Sequence, residues 1–318
     1  MNLLKSLLDW LNPKDKNIIP IEKFSDRIET KPVFTELPKD IDGIYKVFKE
    51  FKLEKYWETI RPHIKNRINV VTEPANEDVI PTGKSKIGGQ PDLSSLTDWP
   101  ITEAGKSLSF IAQLNMAEVS PYDNSGLLPD HGLISFFYCA DQGAWGFDPK
   151  DKQRFKILFT ENLNDLQKTT FPIDLEEHSI YNSNILKMES TLSLPNTEID
   201  LLTDLFDNDT DWDNYYEISS GWGNQILGYP QCIQNAMELE CQLVTNGLYC
   251  GDASGYDDPK GKLLEEGTKD WILLLQVDSE EDKTGMMWGD VGILYYWIKK
   301  KDLINKDFDK AWFILQCH

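Results

Sequence analysis

Three sequence elements occur twice in this chain, and they occur in the same order. Each set contains a turn that ends in Gly-x-Pro, then an apolar run with a glutamine near its end, and then a glycine followed by a second apolar run. The first set spans residues 87–91, 108–115 and 132–138, and the second spans residues 226–230, 272–278 and 292–298. This order predicts an internal duplication, with repeat 1 at about 86–140 and repeat 2 at about 226–299.

The spacing between the elements differs between the two sets. Pro91 and Gln113 are 22 positions apart, whereas Pro230 and Gln276 are 46 positions apart. Repeat 2 is therefore expected to carry an insertion, around residues 232–269, before its central strand. The alternative is two unrelated β-hairpins that share the residues common in strands, and a different strand order in the two halves would contradict the duplication.

The fold class follows from the apolar runs between residues 70 and 318. Runs such as 272–277 are apolar throughout, which is typical of strands that are covered on both faces. No alternation of strands and helices is visible, so antiparallel pairing is favoured. The sequence predicts a mainly β protein with some helices (α+β), a roll-like body over residues 70–318, and helices at about 198–206 and 301–306.

Residues 1–69 are predicted to form an N-terminal helical arm and linker. Leucines at positions 3, 4, 7, 8 and 11 recur at helical spacing, and four prolines mark residues 12–40 as a linker. Residues 41–68 are expected to be helical and to pack on the β body through Phe48, Phe51, Trp57 and Ile64. The terminal leucines favour a docked helix over a helix that lies on a membrane surface, because one lysine is too few for an anionic membrane.

The chain length and the cysteines indicate the class of protein and its location. A chain of 318 residues buries about 75% of its unfolded surface, so it needs neither disulfides nor metal ions to be stable. The five cysteines are odd in number and contain no C-x-x-C pair, which favours neither a disulfide framework nor a zinc site. We therefore expect a cytoplasmic protein without a cofactor. The sequence gives no indication of the oligomeric state.

The acidic residues are concentrated in one segment. The net charge of −21 argues against nucleic acid as a partner, because phosphate binding needs clustered lysines and arginines. Residues 188–259, here called the acidic segment, contain no Lys, Arg or His. Its fourteen acids are Glu189, Glu198, Asp200, Asp204, Asp207, Asp209, Asp211, Asp213, Glu217, Glu238, Glu240, Asp252, Asp257 and Asp258. Two interpretations stay open: a solvated face that keeps the protein soluble, or a field that attracts a basic protein.

Four aspartates in the acidic segment are candidate partner-binding residues: Asp207, Asp209, Asp211 and Asp213. Their spacing resembles the start of a calcium loop, but the turn position that requires glycine is Trp212, and the twelfth position is Ile218 instead of glutamate. An EF-hand is therefore excluded. A weak, nonspecific cation site remains an alternative to a partner contact.

Four other residues are candidate ligand-binding residues. Trp288 and Asp290 flank a glycine directly before an apolar run, where they could form the rim of a ligand cleft. The alternative is a core tryptophan followed by a turn in which Asp290 binds backbone amides. Gln113 and Gln276 lie among apolar residues, where a buried amide must be paired. Pairing with the backbone is favoured over a catalytic role.

Several separate motifs together resemble the YwqG-like family of uncharacterised bacterial proteins. They are Ser85-Lys86-Ile87-Gly88-Gly89-Gln90-Pro91, Trp99-Pro100, Phe110-Ile111-Ala112-Gln113-Leu114, Leu128-Pro129-Asp130-His131-Gly132-Leu133, Leu227-Gly228-Tyr229-Pro230 and Trp288-Gly289-Asp290-Val291-Gly292. The resemblance covers about residues 70–318, although Asp92-Leu93 stands where the family usually has Leu-Pro. It implies a mainly β, roll-like, internally duplicated fold and no established activity. The occurrence of family members near secreted-toxin genes implies a toxin-neutralising role.

The favoured function is that of a non-enzymatic module whose acidic segment binds a basic protein, with an immunity protein as one form of it. Such a protein should lose affinity steeply as salt rises. The alternative is a small-molecule-binding protein or enzyme with a cleft between the two repeats near Trp288 and Asp290. An enzyme should show a deep pocket that contains a carboxyl of raised pKa.

Overall fold

The computed structural model describes residues 36–196, 200–221 and 223–318. Within these ranges, twelve strands are present, and ten of them form one sheet in the order β12-β11-β10-β9-β1-β8-β2-β4-β5-β6. The strands are β1 (Lys65–Pro74), β2 (Lys86–Ile87), β3 (Asp92–Ser94), β4 (Leu108–Asn115), β5 (Leu133–Cys139), β6 (Phe155–Thr160), β7 (Leu166–Lys168), β8 (Asn184–Ser193), β9 (Asn224–Ile226), β10 (Trp271–Asp278), β11 (Ile293–Lys299) and β12 (Trp312–Gln316). The neighbouring strands pair antiparallel, so the predicted mainly β class with some helices is confirmed.

The helices among the described residues are short and lie between the strands. They are α1 (Ile41–Glu50), α2 (Trp57–Ile60), α3 (Met116–Val119), α4 (Asp209–Ser219), α5 (Glu238–Val244), α6 (Ser254–Asp257), α7 (Pro259–Leu264), α8 (Glu281–Thr284) and α9 (Lys300–Ile304). Three of them, α5 to α7, lie within the predicted insertion at 232–269. No helix in the described ranges has both the length and the apolar character needed to cross a membrane.

The sheet is nearly closed because its two edge strands approach one another. The rings of Phe155 on β6 and Phe313 on β12 lie 4.8 Å apart. The Lys152 amine, just before β6, donates a hydrogen bond to the Ala311 carbonyl, just before β12, at 3.0 Å. Strands β4, β5, β10 and β11 are buried almost throughout, because other elements cover both of their faces. This burial explains why their sequences are apolar without alternation.

The two halves of the sheet have the same order of strand types on either side of the β1–β8 pair. Outward from the centre, each half has a short strand, a long strand, a third strand and an edge strand. The long strands β4 and β10 each have a register shift, around Ile111 in β4 and around Leu274 in β10. Gln113 and Gln276 lie two residues beyond these shifts, each opposite the short strand of its own half.

The predicted N-terminal arm differs from the structure at its end. The sequence predicts a helical region that extends to residue 68. Residues 65–69 instead form the first half of β1, at the centre of the sheet, so this part of the prediction is wrong. In β1, Ile68, Val70 and Thr72 are buried, whereas Asn69 and Val71 between them are not, which is the alternation of a strand. The predicted leucine-rich helix at 3–11 and most of the linker lie outside the described residues.

The described part of the arm packs on the acidic segment and forms its own small core. Phe48, Phe51 and Trp57 are buried, as predicted, in a cluster with Tyr215 and Ile218 of α4. The partly buried Ile64 and, from the sheet, Leu192 of β8 pack against this cluster. Helix α4 is not among the helices predicted from the sequence. The Asn208 side chain accepts a hydrogen bond from the Asp211 amide and caps this helix, and acidic residues in the first turn suit the helix dipole.

Candidate functional site

The two predicted glutamines have equivalent structural contacts in the two halves of the sheet. Both side chains are fully buried. The Gln113 oxygen accepts from the Asp92 amide at 2.9 Å, and its amide group donates to the Lys84 carbonyl at 2.8 Å. The Gln276 oxygen accepts from the Gln231 amide at 3.0 Å, and its amide group donates to the Gly223 carbonyl at 2.8 Å. Each glutamine therefore ties the loop around a short strand to the long strand beside it.

The structure does not bring Trp288 and Asp290 together at an open cleft. The Trp288 side chain is fully buried, with its ring edge-on to Tyr138 and Tyr181 at centroid distances of 5.9 Å and 5.6 Å. Asp290 is exposed, and its backbone carbonyl accepts a hydrogen bond from the His318 amide at 3.2 Å. A ligand could stack on the Trp288 ring only after displacing core side chains.

The four predicted aspartates separate into two pairs. Asp207 and Asp211 are 2.6 Å and 2.9 Å from the Lys55 amine, and the Tyr56 hydroxyl donates to Asp211 at 2.7 Å. Hydrogen bonds from Lys55 lower the pKa of both carboxyls. These two residues therefore connect the arm to the start of α4. Asp209 and Asp213 are exposed on α4, and neither forms an ion pair with a described residue.

A large cavity lies between the helical insertion and one end of the sheet. Its volume is about 1230 Å³, which is large enough for a small organic molecule or a peptide segment. One wall consists of residues 234–240, 250–256 and 265–269, and the other consists of β12, the start of β10 and residues near Trp145. The aromatic residues that line the cavity, from both walls, are Trp145, Phe147, Tyr229, Tyr256 and Trp271. This cavity is the candidate functional site.

Two glutamates of α5 face this aromatic cavity. The neighbouring Met237 and Cys241 are buried in the main core, and this packing holds the first turn of α5 against the sheet. Glu240 is only 8% exposed, and among the described side chains the Tyr256 hydroxyl, at 3.4 Å, is its one hydrogen-bond partner. Burial raises the pKa of Glu240 to about 7, although the Tyr256 hydrogen bond opposes the rise. Burial also raises the pKa of Glu238, against the opposing effects of backbone amides and Lys65.

The lysines at the cavity have other partners. The Lys65 amine lies 3.9 Å from the centroid of the Tyr229 ring, and the Lys269 amine is 2.8 Å from a Glu266 oxygen. Among the residues that the structure describes, no cation forms an ion pair with Glu238 or Glu240. The cavity therefore contains several aromatic rings and two carboxyls that form no ion pair with a described cation, although Lys65 acts on Glu238 electrostatically.

The thiol and phenol groups near Glu240 are poor nucleophiles. Burial raises the pKa of Cys250 to about 12, and it also raises the pKa of Tyr256 well above its ordinary value. Both groups therefore stay protonated at neutral pH, whereas Glu240 can exchange a proton. No cluster of three or more His, Cys, Asp or Glu side chains suited to a metal ion occurs in the described ranges. The arrangement can bind a cation or transfer a proton through Glu240.

Sequence reasoning did not single out Glu238 and Glu240 from the other acids of the segment. A signal was present, because these glutamates alternate with Met237, Leu239 and Cys241. Apolar residues on both sides of a glutamate indicate that its carboxyl lies near a core, unlike the polar sequence around Asp209 and Asp213. The cavity's other wall comes from distant parts of the chain, and no local pattern identifies it.

The fold and the cavity define a mainly β domain with an acidic, aromatic binding cavity. Residues 85–317 match the model of the family described as Domain of unknown function (DUF1963), and the chain belongs to this family. The match begins at β2, so the strand β1 at the centre of the sheet precedes it. A search of curated proteins finds no match to the chain.

Proposed function

We propose that this protein is a non-enzymatic module that binds a basic partner protein through its acidic segment. The proposal is carried by the surplus of carboxylates over partners in that segment. Lys39 pairs with Glu189, and Lys55 pairs with Asp207 and Asp211. Five further acids are exposed and have no ion pair within the described part of the chain: Asp204, Asp209, Asp213, Asp252 and Asp257.

Unpaired like charges repel one another, and salt screens this repulsion over about 8–10 Å. A basic protein would relieve the repulsion, and its attraction would raise the association rate by roughly 10–1,000-fold at low salt. The YwqG-like resemblance supports one specific form of this function, which is an immunity protein that neutralises a basic toxin. The five free cysteines support the proposed cytoplasmic location.

The test compares partner capture from host lysate, and then association kinetics, for two variants with the same change in charge. Asp209→Asn with Asp213→Asn removes two unpaired charges from α4. Asp78→Asn with Asp98→Asn removes two exposed charges elsewhere. Asp207 and Asp211 stay unchanged because they connect the arm to α4.

The α4 variant should associate with the captured basic partner several-fold more slowly at low salt and show a weaker dependence on salt. The control variant should behave like the wild type, and both variants should unfold within about 0.5 kcal/mol of it. Equal association rates for the α4 variant and the wild type at every salt concentration would show that the acidic segment does not attract the partner.

The second candidate function is an enzyme, and the pKa of about 7 at Glu240 favours it. A carboxyl that titrates near neutral pH suits general acid–base catalysis. The cavity, however, is not the cleft predicted near Trp288 and Asp290. In the predicted cleft, Asp290→Asn would abolish ligand binding, whereas at the cavity only substitutions of Glu238 or Glu240 would do so.

We also infer that the two halves of the sheet arose by internal duplication. The matching strand order, the register shifts in β4 and β10, and the equivalent contacts of Gln113 and Gln276 support this inference. Two unrelated hairpins would not be expected to share a register shift at the same distance from a buried glutamine.

A further inference from the structure

We infer that the cavity between the helical insertion and the sheet binds the cationic side chain of a lysine or arginine from the partner, with Glu238 and Glu240 as its anionic ligands. This inference rests on the proposed function, because it names the chemical group that the partner presents. It concerns a site distinct from Asp209 and Asp213, which act through long-range attraction at the surface.

The carboxyls are the first argument. Glu240 is almost fully buried and receives one long hydrogen bond, from the Tyr256 hydroxyl at 3.4 Å. A buried carboxylate without a counter-ion is costly, so it either takes up a proton or pairs with a cation. Glu238, two residues earlier, faces the same cavity and forms no ion pair with a described residue. An incoming ammonium or guanidinium group would give both carboxylates a counter-ion.

The aromatic rings are the second argument. Lysine and arginine carry their charge on an apolar stem, which packs on aromatic surfaces, and the charge itself is attracted to ring faces. Trp145 and Tyr256 are partly exposed in the cavity wall. The cavity already holds one such contact within the chain, where the Lys65 amine lies over the Tyr229 ring. The walls therefore suit the stem and the carboxyls suit the charge.

The remaining charges exclude the opposite class of ligand. Asp252, Glu265 and Glu266 also line the cavity, while the Lys269 amine is paired with Glu266. An anionic group would meet five carboxyls against two lysines, Lys65 and Lys269, in the cavity wall, so net repulsion disfavours it. A neutral apolar ligand could use the rings, but it would leave Glu238 and Glu240 without a charged partner.

The experiment uses the full chain and two small probes, Nα-acetyl-lysine amide and Nα-acetyl-norleucine amide. The second probe keeps the apolar stem and lacks the amine. Binding is followed by NMR shifts of the Trp145 indole, assigned through Trp145→Phe. The lysine probe should bind with a dissociation constant of about 1 mM, corresponding to about −4 kcal/mol, and the norleucine probe should bind at least ten-fold more weakly.

Glu238→Gln with Glu240→Gln should weaken lysine-probe binding at least ten-fold, and the Asp209→Asn, Asp213→Asn variant should not change it. Glutamine has the shape of the protonated carboxyl, so the fold should persist. If the double variant misfolds, the single variant Glu238→Gln, at the more exposed position, replaces it in the test. This single variant should still weaken binding of the lysine probe several-fold. Equal binding of the two probes, or unchanged binding by the glutamine variants, would overturn the inference.

The outcomes also separate this inference from the proposed function. If a basic partner binds and depends on Asp209 and Asp213, but the lysine probe does not bind, the cavity inference fails and the proposed function stands. If the lysine probe binds through Glu238 and Glu240 but no basic partner is captured at low salt, the proposed function fails and the cavity is a site for a small cation.

Discussion

The two halves of the sheet share one strand framework and differ in the segment between the short and the long strand. In the first half, 20 residues connect β2 to β4 and form the small strand β3. In the second half, 44 residues connect β9 to β10 and form α5, α6 and α7. The acidic, aromatic cavity lies beside the longer connection. In both halves the framework supplies the paired strands, and in the second half the inserted helices supply one wall of the candidate site.

The interior polar groups differ between the halves as well. Lys86 in β2 lies opposite Gln113, and Gln225 in β9 lies opposite Gln276, so the two residues occupy equivalent positions. The Lys86 side chain is fully buried, with its amine 2.9 Å from Glu77 and 3.8 Å from the buried Asp92. The Gln225 amide instead donates to the carbonyls of Leu227 and Tyr229 at 3.0 Å and 2.8 Å. One half uses buried charges where the other uses a neutral amide.

Substitution of these equivalent residues should have unequal effects, and the largest is expected at Lys86. Lys86→Met leaves Glu77 and Asp92 without their buried cation and should lower the free energy of unfolding by about 3–5 kcal/mol. Gln225→Met removes two neutral hydrogen bonds and a long one that the Arg67 guanidinium donates at 3.5 Å, and should cost about 1–3 kcal/mol. Urea denaturation measures both values. An equal cost for the two variants would show that the charged cluster is not what stabilises the first half.

The pH dependence of stability should have opposite signs in the two halves, with an effect of about 3 kcal/mol at Glu240. Its pKa in the folded protein is about 7, above the unfolded value of about 4.3, so the folded state binds more protons between these pH values. Glu240 therefore destabilises the fold progressively as pH rises from about 4.5 to 7. Glu240→Gln should be more stable than the wild type at pH 8 and about equal to it at pH 4.

Glu77 provides the control in the first half. Burial opposes the shift, but hydrogen bonds from Lys86 and Ser183 lower the pKa of Glu77. Its contribution to stability is therefore present above the unfolded pKa and is lost as pH falls through the folded pKa. Glu77→Gln should be less stable than the wild type at pH 7, and the difference should shrink in acid. The same pH trend for both glutamine variants would contradict the assigned shifts.

The sequence could predict the framework because its signals are local. The apolar runs, the Gly-x-Pro turns and the two glutamines each mark a strand or its neighbour, and the strands lie where these runs occur. It could not predict the cavity, because Glu240 and Trp145, which are distant in sequence, line the same cavity only after the insertion folds onto the sheet. It also could not show that Trp288 faces the core, since a tryptophan beside a glycine is compatible with either side of a turn.

The smallest difference is expected where the two halves are most alike, at the buried glutamines. Gln113→Leu and Gln276→Leu each leave one backbone amide and one carbonyl without a partner and should each cost about 1–3 kcal/mol. Four strands separate β4 from β10 in the sheet order, about 24 Å along the sheet at the usual strand spacing, and the two glutamines share no hydrogen-bond partner among the described residues. The two costs should therefore add in the double variant to within about 0.5 kcal/mol.

The Gln113 amide also donates a hydrogen bond to the Asp92 carboxylate at 2.5 Å. A larger loss of stability at Gln113 than at Gln276 would therefore show that the charged cluster contributes the difference. Equal losses would mean that the shared framework is stabilised independently of the charges, and a clearly larger loss at Gln276 would contradict the equivalence of the two halves.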